Sequence, residues 1–322
     1  MVAAPAAITT EDARVVVGHA PEMQTLKDTW TIFGAELRRA LKSPRVLLVL
    51  LLYLAFSAGV MLAAGALAHQ AQMQADAQGQ GGGLESPKAA LLAMLFGQDR
   101  SLVESLLPLP AVVLLVFKLG LIFLPAYVAV LGFDTVSAEL QTRSLRYLTV
   151  RTSRTALALG KALALATVVL LLVTVVQLGV FSYALSTVPD FSTTEAWHVW
   201  PRLWGTTALV GLGMAALTTL CSTLARSPAL SLTLNFTALL GFWAAGAFGS
   251  GARVMRLMEQ QATQQEPPVG WQERIGLLAP STWSAEVLYP DTARALTGAL
   301  VLLLFAAVCA AAAVAVLRAR DV

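Results

Sequence analysis

The stretch GFDTVSAELQTRSLRYLTVRTSRTALALGK, residues 132–161, separates two strongly apolar runs and decides how the rest of the chain is arranged. Its acidic side chains, Asp134 and Glu139, come first, and a series of basic ones follows: Arg143, Arg146, Arg151, Arg154 and Lys161. A polar segment of this length between two membrane spans must lie outside the bilayer, and its positive charge favours the cytoplasmic side.

Residues 134–148 of this stretch also have good helix propensity. Glu139 and Arg143 have the spacing of a favourable i,i+4 ion pair on a helix. The stretch therefore predicts a short cytoplasmic helix, joined to two spans, that receives force from something in the cytoplasm. The alternative is a solvated basic loop that only fixes the topology.

The composition identifies an integral membrane protein. Of the 322 residues, 57% are hydrophobic and only 13% are charged, whereas a soluble domain is typically about 25% charged. The net charge of +3 is too small to indicate nucleic acid as a partner, and topology explains the basic residues better. Cys221 and Cys309 lie in apolar runs, and the three histidines are scattered, so no metal site is expected.

Six apolar runs are long enough to cross a bilayer, which takes about 20 residues. They cover residues 46–68, 110–132, 162–185, 204–224, 229–249 and 295–317. We therefore predict an all-α polytopic fold in which residues 46–322 form a six-helix transmembrane domain. Residues 69–109 and 250–294 form its long outer segments. Whether residues 279–294 dip into the membrane or lie on it stays open.

The residues before the first span predict two parts. Residues 1–21 show no clear period and are expected to be a flexible tail. In residues 22–45, apolar side chains recur on one helical face, at Leu26, Trp30, Phe33, Leu37 and Leu41. A basic amphipathic helix just before a span is typical of a helix lying in the membrane interface. An ordinary cytoplasmic packing helix is the alternative.

The distribution of Lys and Arg predicts that both termini lie in the cytoplasm. In that orientation the cytoplasmic segments hold 14 of the 22 Lys and Arg residues, and the outer segments hold 7. The remaining one, Lys118, lies within the second span. A lysine near the bilayer centre costs about 2.5–3.5 kcal/mol on insertion scales, which makes Lys118 a candidate pathway residue. Snorkelling or a structural hydrogen bond is the alternative.

Signatures of catalysis are missing from the sequence. It contains no HExxH, no GxSxG, no paired intramembrane Asp and no phosphate-binding GxxxxGK[ST] loop. We therefore expect a protein that is not an enzyme and does not hydrolyse ATP itself. An ion-gradient-driven secondary transporter would be expected to carry more intramembrane carboxylates or matching broken helices. It remains an alternative, as does a membrane scaffold that transports nothing.

These features resemble the membrane subunit of a type-2 ATP-binding-cassette (ABC) exporter. Members have an amphipathic N-terminal helix, six spans and a cytoplasmic coupling helix between spans two and three. Their usual pattern runs from an acidic residue through Glu, Gly-Thr-Leu and Pro-x-Ser-Arg to Gly-Lys. The matching residues here are Asp134, Glu139, Ser144, Leu145, Ser153, Arg154, Gly160 and Lys161. The sequence departs at Arg143, where Gly is common, and at Arg151, where Pro is common.

The resemblance implies a permease that moves a substrate, by export, across a bacterial inner (plasma) membrane. A second permease chain, identical or related, would complete the transmembrane unit within the membrane lipid. Two copies of a cytoplasmic ABC ATPase would dock beneath it, and ATP and magnesium are expected there, with no cofactor in this chain. The residues expected to contact the ATPase are Asp134, Glu139, Arg143, Arg146, Arg151 and Arg154.

Overall fold

The computed structural model describes most of the chain. The described residues are 21–78, 87–96, 99–144, 147, 152–188, 191, 193–263 and 268–320. Most of the predicted N-terminal tail lies outside them, as do Arg146 and Arg151. Within the described residues, every regular element is a helix.

Six of these helices are long and apolar enough to cross a membrane. In chain order the helices are α1 (Pro21–Leu41), α2 (Pro44–Gln78), α3 (Pro87–Phe96), α4 (Arg100–Leu106), α5 (Ala111–Gly132), α6 (Ser137–Gln141), α7 (Arg154–Thr187), α8 (Thr193–Leu224), α9 (Pro228–Thr263), α10 (Trp271–Gly276), α11 (Pro280–Glu286) and α12 (Thr292–Ala319). The six apolar runs of the sequence fall on α2, α5, α7, α8, α9 and α12. The predicted all-α fold with six candidate spans is therefore confirmed.

Helix α8 lies at the centre of the bundle, between α5, α7 and α12. In its most apolar window 78% of the residues are buried, compared with 11% for α9 and 17% for α2. Small residues allow the neighbouring helices to approach closely. A Cβ atom at Gly211 would lie only 2.8 Å from Val169 of α7, and one at Gly213 would lie 3.0 Å from Phe305 of α12. Gly211 and Gly213 thus serve packing within the chain.

Helix α1 packs along the first turns of α7. The two backbones meet at Gly160, where a Cβ atom would lie 2.8 Å from Ile32 and 3.0 Å from the carbonyl oxygen of Thr29. The predicted apolar face is only partly used in this contact, because Leu26 and Trp30 remain 71% and 67% exposed. The position of α1 in the membrane interface stays a prediction. The exposed apolar side chains of α1 are suited to that environment.

The bundle has two ends, the Lys161 end and the Asp99 end. The Lys161 end carries α1, α6, the start of α7, the turn between α8 and α9, and the last turn of α12. The Asp99 end carries α3, α4, α10, α11 and the start of α12. Hydrogen bonds and ion pairs hold the parts of each end together.

Candidate functional site

The segment between α5 and α7 contains the short helix α6, and α8 fixes its start. The backbone N–H groups of Val136 and Ser137 both donate hydrogen bonds to the hydroxyl oxygen of Ser222, over 2.9 and 3.0 Å. Ser222 is fully buried near the end of α8. The first N–H groups of a helix have no partner within the helix, so Ser222 acts as a cap supplied from another part of the chain.

Helix α6 is shorter than residues 134–148, over which the sequence favours a helix. It ends at Gln141, Thr142 is its C-cap, and Arg143 follows with a φ of 58°. This left-handed backbone usually takes glycine at a helix end, and the similar exporters commonly have glycine at this position. The predicted i,i+4 pair of Glu139 with Arg143 is wrong, because Arg143 has left the helix and Glu139 pairs with Lys161 instead.

A buried lysine joins three helices at this end. The side chain of Lys161, in α7, is only 2% exposed, and its Nζ lies 2.5 Å from Glu36 Oε1 of α1 and 2.8 Å from Glu139 Oε1 of α6. A buried ammonium group is stable only when it is paired and hydrogen-bonded. We call Glu36, Glu139 and Lys161 the charge triad. It connects the N-terminal helix, the cytoplasmic helix and the third span through one side chain.

A second ion pair lies beside the charge triad. Arg45, in the first turn of α2, places its Nη1 2.6 Å from Asp134 Oδ2. The same guanidinium lies 5.0 Å from the ring centroid of Phe133. Both charged side chains are more exposed than Lys161, at 43% and 30%, so water weakens their attraction. Asp134 nevertheless ties the start of the first span to the end of the second.

Arg154 connects the start of α7 to the end of α12. Its guanidinium donates to the carbonyl oxygens of Arg318 and Arg320, over 3.1 and 2.5 Å. In return, Nε of Arg318 donates to the hydroxyl of Thr155 over 2.9 Å, and Arg320 donates to the carbonyl of Leu224. The last carbonyl groups of a helix have no partner within the helix, so these guanidinium groups satisfy them.

The structure thus brings Asp134, Glu139 and Arg154 to the same end of the bundle, where each bonds to a distant part of the chain. Arg143 lies with them, without an ion pair to any described residue. Arg146 and Arg151 lie outside the described residues. Contact of all six with an ATPase stays a prediction.

Several residues of this site were not predicted from the sequence, among them Glu36, Ser222 and Arg45. One signal was available for Glu36. Lys161 directly precedes the predicted third span, where a buried lysine requires an anion, and an acidic residue on the amphipathic helix is a natural source. No such signal was available for Ser222, because the sequence does not distinguish this serine from the other hydroxyl-bearing residues of α8.

Lys118 lies about two turns into α5 and makes a different kind of contact. Its ammonium group lies 5.3 Å from the ring centroid of Phe96, which belongs to α3 at the Asp99 end. A cation over an aromatic face is attracted by the ring quadrupole. This contact agrees with the alternative of a structural role for Lys118. A role of Lys118 in a transport pathway stays a prediction.

At the Asp99 end, Arg256 of α9 pairs with Glu273 of α10 over 2.8 Å, whereas the pairs around Tyr289 are longer or more exposed. The Tyr289 hydroxyl donates to Asp99 Oδ2 over 2.9 Å, and Arg294 stacks 4.1 Å from the centroid of the Tyr289 ring. Arg294 also lies 3.8 Å from Asp99 and 3.4 Å from Glu286. Burial and the neighbouring Asp99 raise the pKa of Tyr289 to about 12. The phenol therefore stays protonated and able to donate.

Comparison with known families gives a match over nearly the whole chain. The model of a family described as "ABC-2 family transporter protein" matches residues 30–322. This range includes the charge triad, Ser222, Arg154 and all six candidate spans. A search of curated proteins gives no match.

Proposed function

This chain belongs to the ABC-2 family of transporter proteins, and we propose that it is the permease subunit of an exporter driven by a separate ATPase. Proteins of this family are the transmembrane component of ABC transporters and generally lack an ATPase site of their own. In our proposal the chain lies in a bacterial inner membrane, with both termini and the Lys161 end in the cytoplasm, as the Lys and Arg distribution predicts. A second permease chain completes the pathway, and two ATPase copies bind ATP and magnesium.

The observation that carries this proposal is the charge triad. Helix α6 is the coupling helix, and the ATPase pair displaces it when ATP binding closes the pair. Because Lys161 is buried between Glu139 and Glu36, the displacement of α6 is passed to α7 and α1 rather than absorbed by the loop. Separating a buried ion pair leaves an uncompensated charge, which costs about 3–5 kcal/mol. The triad is therefore strong enough to transmit a rigid-body shift.

Two further contacts spread this motion in our proposal. Ser222 holds the start of α6 against the end of α8, the most buried span. Arg154 holds the start of α7 against the end of α12. A shift of the cytoplasmic segment thus reaches spans three, four and six together, and α9 is connected through the short turn that follows Leu224.

A mild-detergent pull-down of the tagged chain from its native membrane, followed by mass spectrometry, tests the partner. We expect a soluble chain carrying GxxxxGK[ST] to be recovered with it. Repeated recovery without any ATPase, under conditions that preserve known complexes, would favour the gradient-driven transporter instead. In that event Lys118 would be the residue to mutate first.

The variant Glu139→Gln tests the coupling role within the assembled complex. It keeps the size of the side chain and removes the charge that faces Lys161, so we expect the complex to assemble while transport-linked ATP hydrolysis falls. Glu286→Gln is the matched control, because Glu286 pairs with the exposed Arg294 at the opposite end. Equal transport-linked ATP hydrolysis in the two variants would contradict the coupling role of Glu139.

A further inference from the structure

Four arginines meet where the ends of α8 and α12 approach the start of α7: Arg154, Arg226, Arg318 and Arg320. Arg320 donates to the carbonyl of Leu224 at the end of α8, and Arg226 follows two residues later in the turn to α9. Arg154 donates to the carbonyl oxygens of Arg318 and Arg320. We call these four residues the arginine cluster. It lies at the Lys161 end.

The arginine cluster carries an excess of positive charge. Among the described residues, none of its four members forms an ion pair with a carboxylate. The bonds of Arg154 and Arg320 are to neutral carbonyl groups, which hold the guanidinium groups in place without removing their charge. The C-terminal ends of α8 and α12 each contribute about half a negative charge, and Asp321, which follows Arg320 in the sequence, can supply at most one more. About two positive charges therefore remain.

Two of these charges lie close enough to repel one another. Burial and the neighbouring charge of Arg226 lower the pKa of the Arg320 guanidinium below its ordinary value. Arginine nevertheless stays protonated at pH 7, so the repulsion persists in the folded chain and is not relieved by loss of a proton. An anion beside Arg226 and Arg320 would lower this electrostatic free energy.

The arginine cluster lies at the level expected for lipid headgroups. Arg226 is in the turn formed by residues 225–227, between two candidate spans, and Arg318 is in the last turn of a third. A turn this short cannot extend far from the bilayer surface. Leu224 and Leu230, on either side of the turn, are 45% and 47% exposed. Apolar side chains exposed at the ends of spans are suited to contact with lipid chains.

We propose that the arginine cluster binds an anionic phospholipid of the leaflet at the Lys161 end, which is the cytoplasmic leaflet in the orientation proposed above. The guanidinium groups of Arg226 and Arg320 donate to the phosphate, and the acyl chains lie against Leu224 and Leu230. Basic groups between spans on the cytoplasmic side are suited to headgroups of this class. A zwitterionic lipid matches less well, because its ammonium group adds to the positive charge already present.

The test is native mass spectrometry of the purified full-length chain taken from nanodiscs with equal amounts of phosphatidylglycerol, phosphatidylethanolamine and phosphatidylcholine. We expect phosphatidylglycerol to be retained preferentially, because it alone of the three carries a net negative charge. Equal retention of the three lipids, or preference for a zwitterionic one, would overturn the proposal.

Variants of Arg226 locate the site. Arg226→Gln should lower retention of phosphatidylglycerol about fivefold, the contribution of one basic residue near a membrane surface. Arg226→Lys keeps the charge and should keep most of the retention. Arg38→Gln is the matched control, because Arg38 is an exposed arginine at the same end, on α1 and outside the arginine cluster. Both positions are exposed, so these variants should fold. Equal loss in Arg226→Gln and Arg38→Gln, or no loss in Arg226→Gln, would overturn the assignment.

Two further measurements distinguish the source of the anion. Failure of an excess of soluble glycerophosphoglycerol to displace the retained lipid supports a membrane lipid, whereas displacement overturns the lipid source and assigns the site to a soluble phosphodiester. Acidic groups of the ATPase are tested by the pull-down described above. If Arg226→Gln loses the chain carrying GxxxxGK[ST] and still retains phosphatidylglycerol, the arginine cluster contacts the ATPase and the lipid proposal is overturned. Lipid retention is a measurement of binding alone and does not depend on the proposed export.

Discussion

The charge triad and the ion pairs of Arg294 lie at opposite ends of the bundle, in different surroundings. At the Lys161 end, the central cation is 2% exposed and its two carboxylates are 25% and 17% exposed. At the Asp99 end, Arg294 is 48% exposed and its ion-pair distances are 3.4 and 3.8 Å. Exposed pairs contribute about 0–1 kcal/mol, whereas breaking a buried pair costs about 3–5 kcal/mol. In our proposal the first arrangement transmits force between helices, and the second yields easily.

The largest effect is expected for Lys161→Met, which leaves Glu36 and Glu139 without their common cation. We expect a loss of about 3–5 kcal/mol in the free energy of unfolding, measured as a lower thermal midpoint in detergent. Arg294→Met at the Asp99 end is the matched control and should cost no more than about 1 kcal/mol. Similar shifts in the two variants would contradict the difference between the ends.

A triple variant sharpens this result. When Glu36→Gln and Glu139→Gln are added to Lys161→Met, no unpaired charge remains, and most of the lost stability should return. Transport-linked ATP hydrolysis should stay low, because the connection between α6 and α7 is still missing. Recovery of both stability and activity would show that the charges serve folding alone.

The next effect in size is expected for Ser222→Ala. The change leaves the two buried backbone N–H groups of Val136 and Ser137 without an acceptor, which should lower the free energy of unfolding by about 1–3 kcal/mol. Hydrogen exchange at these two amides should become faster. Thr223→Val is the control, since among the described residues the Thr223 hydroxyl donates to the Leu220 carbonyl of its own helix and not to α6. Unchanged exchange in Ser222→Ala would mean that the cap does not hold α6.

These residues also indicate how far the sequence predicts the structure. The six spans follow from hydropathy and length, which are local properties, and the position of the cytoplasmic segment follows from its charge. Which residues bond to one another does not follow from the sequence. Lys161 and Glu36 are 125 positions apart, and Ser222 lies 86 positions from Val136. Contact of Arg154 with a partner protein stays a prediction, but its bonds to carbonyl groups at the end of α12 could not be predicted, because only the folded arrangement brings these groups near.

Arg143→Gly should have a smaller and opposite effect. A left-handed backbone costs an L residue roughly 1–2 kcal/mol, and the greater freedom of glycine in the unfolded chain offsets part of the gain. We expect the free energy of unfolding to rise by about 0.5–1 kcal/mol. Gln141→Gly, within α6, should instead lower it by up to about 1 kcal/mol. A loss of stability in both variants would contradict the left-handed turn.

The smallest effect is expected at the Asp99 end, as a pH dependence. Burial alone would raise the pKa of Asp99, but hydrogen bonds from Ser101 and Tyr289 and the charge of Arg294 lower it below its ordinary value. A carboxyl group with a lowered pKa stabilises the folded state above its unfolded pKa, about 3.9, and this contribution is lost as the pH falls through the folded value.

Asp99→Asn should therefore lower the thermal midpoint slightly at pH 7, and the difference from the unchanged protein should shrink as the pH falls below about 4 and disappear below the pKa of Asp99 in the folded protein. Asparagine also caps helices well, so the start of α4 is preserved and the charge alone is tested. Glu104→Gln, an exposed carboxyl group on the same helix, is the control. A difference that grows as the pH falls would contradict the sign of the shift.

Site-specific photo-crosslinking in the native membrane tests most directly the claim that the Lys161 end receives the force. A benzophenone amino acid replaces Tyr147, beyond α6 and 81% exposed, or Trp271, at the Asp99 end and 69% exposed. We predict that position 147 is crosslinked to a protein carrying GxxxxGK[ST] and that position 271 is not. A crosslink to that ATPase from position 271, with none from position 147, would contradict it.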